Sequence, residues 1–137
     1  MTDLSELELD FDHGERMPLR HPKTDEVLTD EDGNEGYIQL LSSEADKPSE
    51  VFRKLANRRL KRERKGQVST IEQVEADNVE LLVACTVDWH LVTPDGKAID
   101  LDCTEANARA VYANPKISWI RNQAQEFAND SANFIGS

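Results

Sequence analysis

The stretch "VSTIEQVEADNVELLVACTVDW", Val68 to Trp89, constrains this chain more than any other part of it. Ile71, Val74, Asn78, Leu82, Cys85 and Trp89 recur at the spacing of a helix face, and "LLVACTV" is apolar nearly all round. A buried strand over 79–87 also fits the apolar run, but the longer period favours a helix that serves as the core element. Ser69 or Thr70 suits its N-cap, and Glu72 and Glu75 suit its positive N-terminal end.

Helical and extended segments surround this element. Pro18 and Pro22 forbid a helix interior near the start, and "DEVLTDEDGNEGYIQLL" reads as two short strands around a turn at Asp32-Gly33. The acids there do not form a calcium loop: with Gly33 at the sixth position, the first and twelfth ligands would be Leu28 and Gln39. Ser49 is a candidate N-cap for a helix over "VFRKLANRRLKRERKG", with Gly66 as its stop. Pro94-Asp95-Gly96 marks a second, short turn between apolar runs. Thr104 can cap a helix that closes before Pro115, and Asn114 can cap the next, whose stripe is Ile117, Ile120, Ala124, Phe127 and Ala128. Phe134 is a candidate anchor for the tail. The expected fold class is therefore α+β and mainly helical: an N-terminal β-hairpin followed by about four helices, with a short second hairpin. Residues 1–16 form an acidic segment that fits a short strand or a flexible tail, and residues 17–137 form one domain.

Charge is distributed unevenly along the chain. The total is −11, yet 51–65 holds eight of the sixteen bases and only one acid. On a helical wheel Val51, Phe52, Leu55, Ala56 and Leu60 share one side of that helix, which is expected to dock on the body. Arg59 and Glu63 interrupt the same arc. Nothing apolar follows Leu60, so "KRERK" is expected to project, with Arg58, Arg59, Lys61, Arg62 and Arg64 as a candidate partner-binding surface. An acidic chain repels nucleic acid at long range, so general nucleic-acid binding is disfavoured outside this run.

The residues for chemistry are sparse. The chain has no serine elbow, no phosphate-cradling glycine loop and no Cys-x-x-Cys, and His13, His21 and His90 fall in separate segments. His90 near Asp88 and Cys85 lacks a third metal ligand, and Cys85 reads as a small core residue. No catalytic, metal or cofactor site is expected, and no enzyme. No signal peptide or membrane-length apolar run is visible, which suggests a cytoplasmic protein.

Taken in order, these features resemble the tail assembly chaperones of long-tailed bacteriophages and prophages. The N-terminal half matches through "LRHPKTDEVLTDEDGNEGYIQLLSSEADKPSEVFRKLANRR", with a His-Pro-x-Thr element, an acidic Asp-Gly hairpin, a strand and an Arg-rich helix. The C-terminal half matches through an apolar helix ending near Trp89, a turn at Gly96, "TEANARAVY", "SWIRNQAQEF" and a terminal Asn-Phe. The chain departs from the pattern at Ser42-Ser43-Glu44-Ala45, where the family more often has a glycine. The resemblance implies a non-enzymatic protein of the host cytoplasm. Such a protein binds the long helical tape measure protein, keeps it soluble and helps recruit tail tube protein, with self-association also in view. Two rivals remain at this level. One is a small phage regulator contacting nucleic acid through the basic helix 51–65; the other is an acidic DNA mimic, for which no regular carboxylate spacing is seen.

Overall fold

The computed structural model describes residues 13–134, so the expectation for the segment before His13 lies outside the described residues. The chain folds as an α+β structure with strands β1 (Glu15–Pro18), β2 (Tyr37–Leu40) and β3 (Thr86–His90) and helices α1 (Asp46–Arg64), α2 (Ile71–Cys85), α3 (Glu105–Ala113) and α4 (Ser118–Asn129). The three strands form one antiparallel sheet in the order β1-β2-β3. Met17, Ile38 and Trp89 lie side by side across it, all buried, while Tyr37 and Gln39 point to the other face. This alternation is what a sheet wetted on one side requires. Trp89 also donates its indole Nε1–H to the Leu101 carbonyl at 2.7 Å, which satisfies its one polar group inside the core.

The N-terminal hairpin is present, but its strands pair differently from the sequence expectation. β2 pairs with β1, whereas the predicted partner segment around Val27 and Thr29 makes only single bridges, to Arg20 and Glu35. The acidic turn is tied locally instead: Asp30 Oδ1 accepts from the backbone N–H groups of Asp32 and Asn34, and Gly33 takes φ +82°. The second hairpin is as short as expected, a single bridge between Val92 and Ala98 around the Pro94-Asp95-Gly96 turn.

Helix α2 is the central helix, packing on α1, α3 and α4. Thr70 caps it through a reciprocal box with Gln73. The helix does not run to Trp89 as its period suggested; it ends at Cys85 and the chain passes directly into β3. Two local causes act together. The Thr86 hydroxyl donates to the Leu82 carbonyl at 2.7 Å, closing the helix end, and Thr86 and Val87 are β-branched residues suited to a strand. β2 then supplies the partner that fixes the extended form, with Val87 bulged between the Asp88–Gln39 and Thr86–Leu40 pairs.

The core is filled from the sheet, α2, α3 and α4. Tyr112 is fully buried, and its hydroxyl lies 2.7 Å from Thr86 Oγ1. Since Thr86 already donates to Leu82, Tyr112 is the donor in this pair. Burial pushes the Tyr112 phenol well above its ordinary range. Thr104 and Asn114 cap as expected, although Asn114 and Pro115 open a single 3-10 turn ahead of α4. The Gln123 side chain of α4 accepts from the Arg20 backbone N–H and donates to its carbonyl, at 3.0 and 2.8 Å, so it acts as a strand partner for that residue. Phe134 is buried edge-on against Phe127.

Helix α1 stands apart. No residue of it belongs to the core cluster, and it packs mainly on α2. Of the five side chains expected to dock it, only Leu55 is buried, while Phe52 and Leu60 are exposed. The expected Ser49 cap is replaced by an earlier start: Ala45 is the N-cap, and Pro48 sits in the first turn, where its missing N–H costs nothing. At the other end Gly66 takes φ +75°, and the N–H groups of Gly66 and Gln67 return to the carbonyls of Glu63 and Arg62. This is the glycine-terminated helix end that the sequence foretold.

Candidate partner-binding groove

The segment linking β2 to α1 sets one end of a groove. Ser42 is buried with its Oγ accepting from the Glu44 N–H, and the Ser43 N–H donates to the Ala128 carbonyl at the end of α4. These bonds place the first turn of α1 beside the last turn of α4, and α2 forms the floor between them. The result is a cavity of about 470 Å³ with walls from Pro48 and Phe52 on α1, Leu81, Leu82 and Cys85 on α2, and Ala128 on α4. The lining also includes polar side chains, among them Glu44, Arg53, Asn78 and Gln125.

The α2 wall continues beyond the cavity. Asn78 lines the cavity, and Val74 and Ile71 precede it by four and seven residues, which keeps them on the same helix face. Both are open: Val74 is 41% and Ile71 76% exposed. The stripe that the sequence assigned wholly to the core is therefore buried at its Leu82–Cys85 end and bare at its Ile71–Val74 end. On α1, Phe52, which lines the cavity beside the Leu81–Cys85 end of that stripe, is 59% exposed. A groove with apolar walls that continues onto an exposed helix face is a shape that receives an amphipathic helix.

The expected basic surface is divided around α1. Arg58, Arg59, Lys61 and Arg64 are exposed, but Arg62 is half-buried and turned toward α2, its Nη2 3.9 Å from Asp77 Oδ2. Arg59 lies seven residues after Phe52 and so shares the groove side, whereas Arg58 adds to the positive field at Glu80 of α2. Arg53, outside the expected set, lines the cavity itself. The sequence did carry a sign of the groove: Arg59 and Glu63 in the middle of an apolar arc are incompatible with a fully covered face.

Other polar clusters hold the fold together. His90 Nε2 lies 2.8 Å from Asp30 Oδ2 and joins the acidic turn to β3. Hydrogen bonds from the Asn34 N–H first, and then from His90, hold the Asp30 carboxyl below its usual range. Arg109 of α3 grips Glu80 of α2 through two bonds, at 2.6 and 3.0 Å, and these bonds lower the Glu80 pKa. Burial raises the Cys85 thiol to about 12, so its sulfur is an uncharged part of the groove floor. Among the described residues no three His, Cys, Asp or Glu side chains converge as a metal site, and no helix is long and apolar enough to cross a membrane.

Set beside profiles of known protein families, curated proteins and solved structures, the chain matches none of them.

Proposed function

We propose that this chain is a non-enzymatic phage tail assembly chaperone, which binds the tape measure protein in the host cytoplasm, keeps it soluble and helps recruit tail tube subunits. The observation that carries this reading is the apolar groove between α1 and α4 over α2, extended along α2 by the bare Ile71 and Val74. Apolar surface left in water costs about 25 cal/mol per Å², and a contiguous patch of it marks a binding face. A long helical protein with exposed apolar stripes has the same problem along its length, and an acidic chaperone would cover those stripes while its net charge of −11 keeps the complex dispersed. Co-expression with the tape measure protein of the same genome tests the reading. That protein stays soluble only in the presence of this chain if the reading holds, and is equally insoluble with and without it if the reading fails.

A second reading has one observation in its favour. Of the eight bases between Arg53 and Lys65 only Arg62 turns inward, so the others form an exposed basic surface that a nucleic acid could meet. It predicts DNA affinity that falls steeply with salt. The acidity of the remaining chain opposes it.

A further inference from the structure

The poorly bonded groups of this molecule are gathered in one place. Among the described residues, the buried side-chain atoms that lack a hydrogen-bond partner are Nε and Nη2 of Arg62 and Oγ of Ser69. All three belong to the far end of α1 and the loop that follows it. Other elements are tied: Arg109 of α3 grips Glu80 of α2 with two bonds, and Gln123 of α4 holds the Arg20 backbone with two. The base of α1 is fixed as well, with Ala45 and Pro48 buried, Ser43 bonded to Ala128 and Lys47 3.8 Å from Glu105 of α3. Beyond that first turn no side chain of α1 hydrogen-bonds to another element among the described residues. Leu55 is its one buried side chain there, and Arg62 stays 3.9 Å from Asp77, beyond hydrogen-bond reach.

We infer that α1 is a hinged wall of the groove: beyond its buried first turn it undocks from α2 as one unit, while the sheet, α2, α3 and α4 stay folded. Opening is favoured by what it releases. Water then reaches the Arg62 guanidinium and the Ser69 hydroxyl, which the closed form leaves unpaired. Little apolar area is given up, because Leu55 alone is buried along the moving part. Residues 66–69 lie outside any helix or strand and, drawn out, reach about 13 Å, so the far end of α1 can lift without unwinding α2. The consequence falls on the groove. A helix about 10 Å across fills about 420 Å³ per turn. The closed cavity of about 470 Å³ therefore holds one turn, and movement of α1 sets whether it holds more.

Native-state hydrogen exchange of the full chain tests this, read by mass spectrometry at rising urea below the unfolding transition. No partner is involved, so the result is independent of the chaperone reading. An undocked polar helix loses the packing that sustains it, and its amides exchange. Amides of 52–61 are expected to share one rate, about a hundredfold faster than those of 79–85. Their rate should respond only weakly to urea, since little surface opens. Arg62→Met removes the stranded donors and should slow exchange over 52–61 about tenfold, whereas Leu55→Ala should speed it about tenfold. Tyr112→Phe weakens the closed and the undocked forms alike, so it should speed exchange over 79–85 about fivefold and leave 52–61 unchanged. A common rate and urea slope for the two segments overturns the inference, because α1 then opens only with the whole fold. So does a rate that falls steadily from residue 64 back to 52, which is end fraying, or a Tyr112→Phe variant that speeds both segments equally.

Discussion

Arg62 Nη2 lies 3.9 Å from Asp77 Oδ2, across the contact between α1 and α2, and this pair turns the middle of the basic run inward. Neither Nε nor Nη2 of Arg62 has a hydrogen-bond acceptor. The pair is therefore loose, and it holds a desolvated guanidinium against the helix interface. Replacing a poorly bonded, shielded ion pair by an apolar side chain is commonly neutral or stabilising, whereas removing one partner strands the other. Arg62→Met should leave the urea midpoint unchanged or raise it, and Asp77→Ala should lower stability by about 1–2 kcal/mol. Equal losses in both variants would show that Arg62 contributes net stability through the pair.

The hydroxyl chain from Tyr112 through Thr86 to the Leu82 carbonyl marks the junction between α2 and β3. Tyr112→Phe removes one bond and leaves Thr86 its bond to Leu82, so a cost of about 1 kcal/mol is expected. Thr86→Val keeps the shape, but it strands both the Tyr112 hydroxyl and the carbonyl. Its cost should be larger, about 2–3 kcal/mol by denaturant unfolding. A Thr86→Val change no worse than Tyr112→Phe would mean that strand pairing, not the hydroxyl chain, ends the helix.

Acid should loosen the turn at Asp30. Its folded carboxyl ionises below its unfolded value because Asn34 and His90 donate to the charged form. The contribution is complete above the unfolded pKa, about 4, and is lost as pH falls through the folded value. Glu80, bonded by Arg109, acts in the same direction. Between pH 4 and lower values Asp30→Asn should lose less stability than the parent, giving a shallower acid limb in thermal melts; parallel limbs would contradict this account.

Much of this fold was legible in single residues, and the exceptions share a cause. Caps at Thr70 and Thr104 and the stop at Gly66 depend on a few neighbouring atoms, so the sequence alone narrowed each to one or two residues, while Asn114 caps the 3-10 turn ahead of α4 and not α4 itself. The passage from α2 into β3 depends on β2, forty-odd residues earlier, and an apolar run that suits helix and strand equally cannot report it. Likewise the hairpin partner of β2 is the segment from Glu15 to Pro18, not the nearer residues around Val27. The groove was hidden for a different reason. Periodicity finds an apolar face, but it does not say whether the chain itself covers that face, so Phe52, Ile71 and Val74 read as core although they are exposed. Five arginines and lysines on α1 read as one surface, yet one of them is folded inward by Asp77.

The central claim is that the groove, and not the acidic surface at large, holds the helical partner. Phe52→Asp combined with Val74→Asp places charge on both apolar walls and touches only exposed side chains, so the fold should be unaffected. The decisive measurement is the soluble fraction of the tape measure protein co-expressed with the parent chain or with this double variant. The account predicts a soluble complex with the parent and insoluble tape measure protein with the folded variant. Equal solubility with both would contradict it.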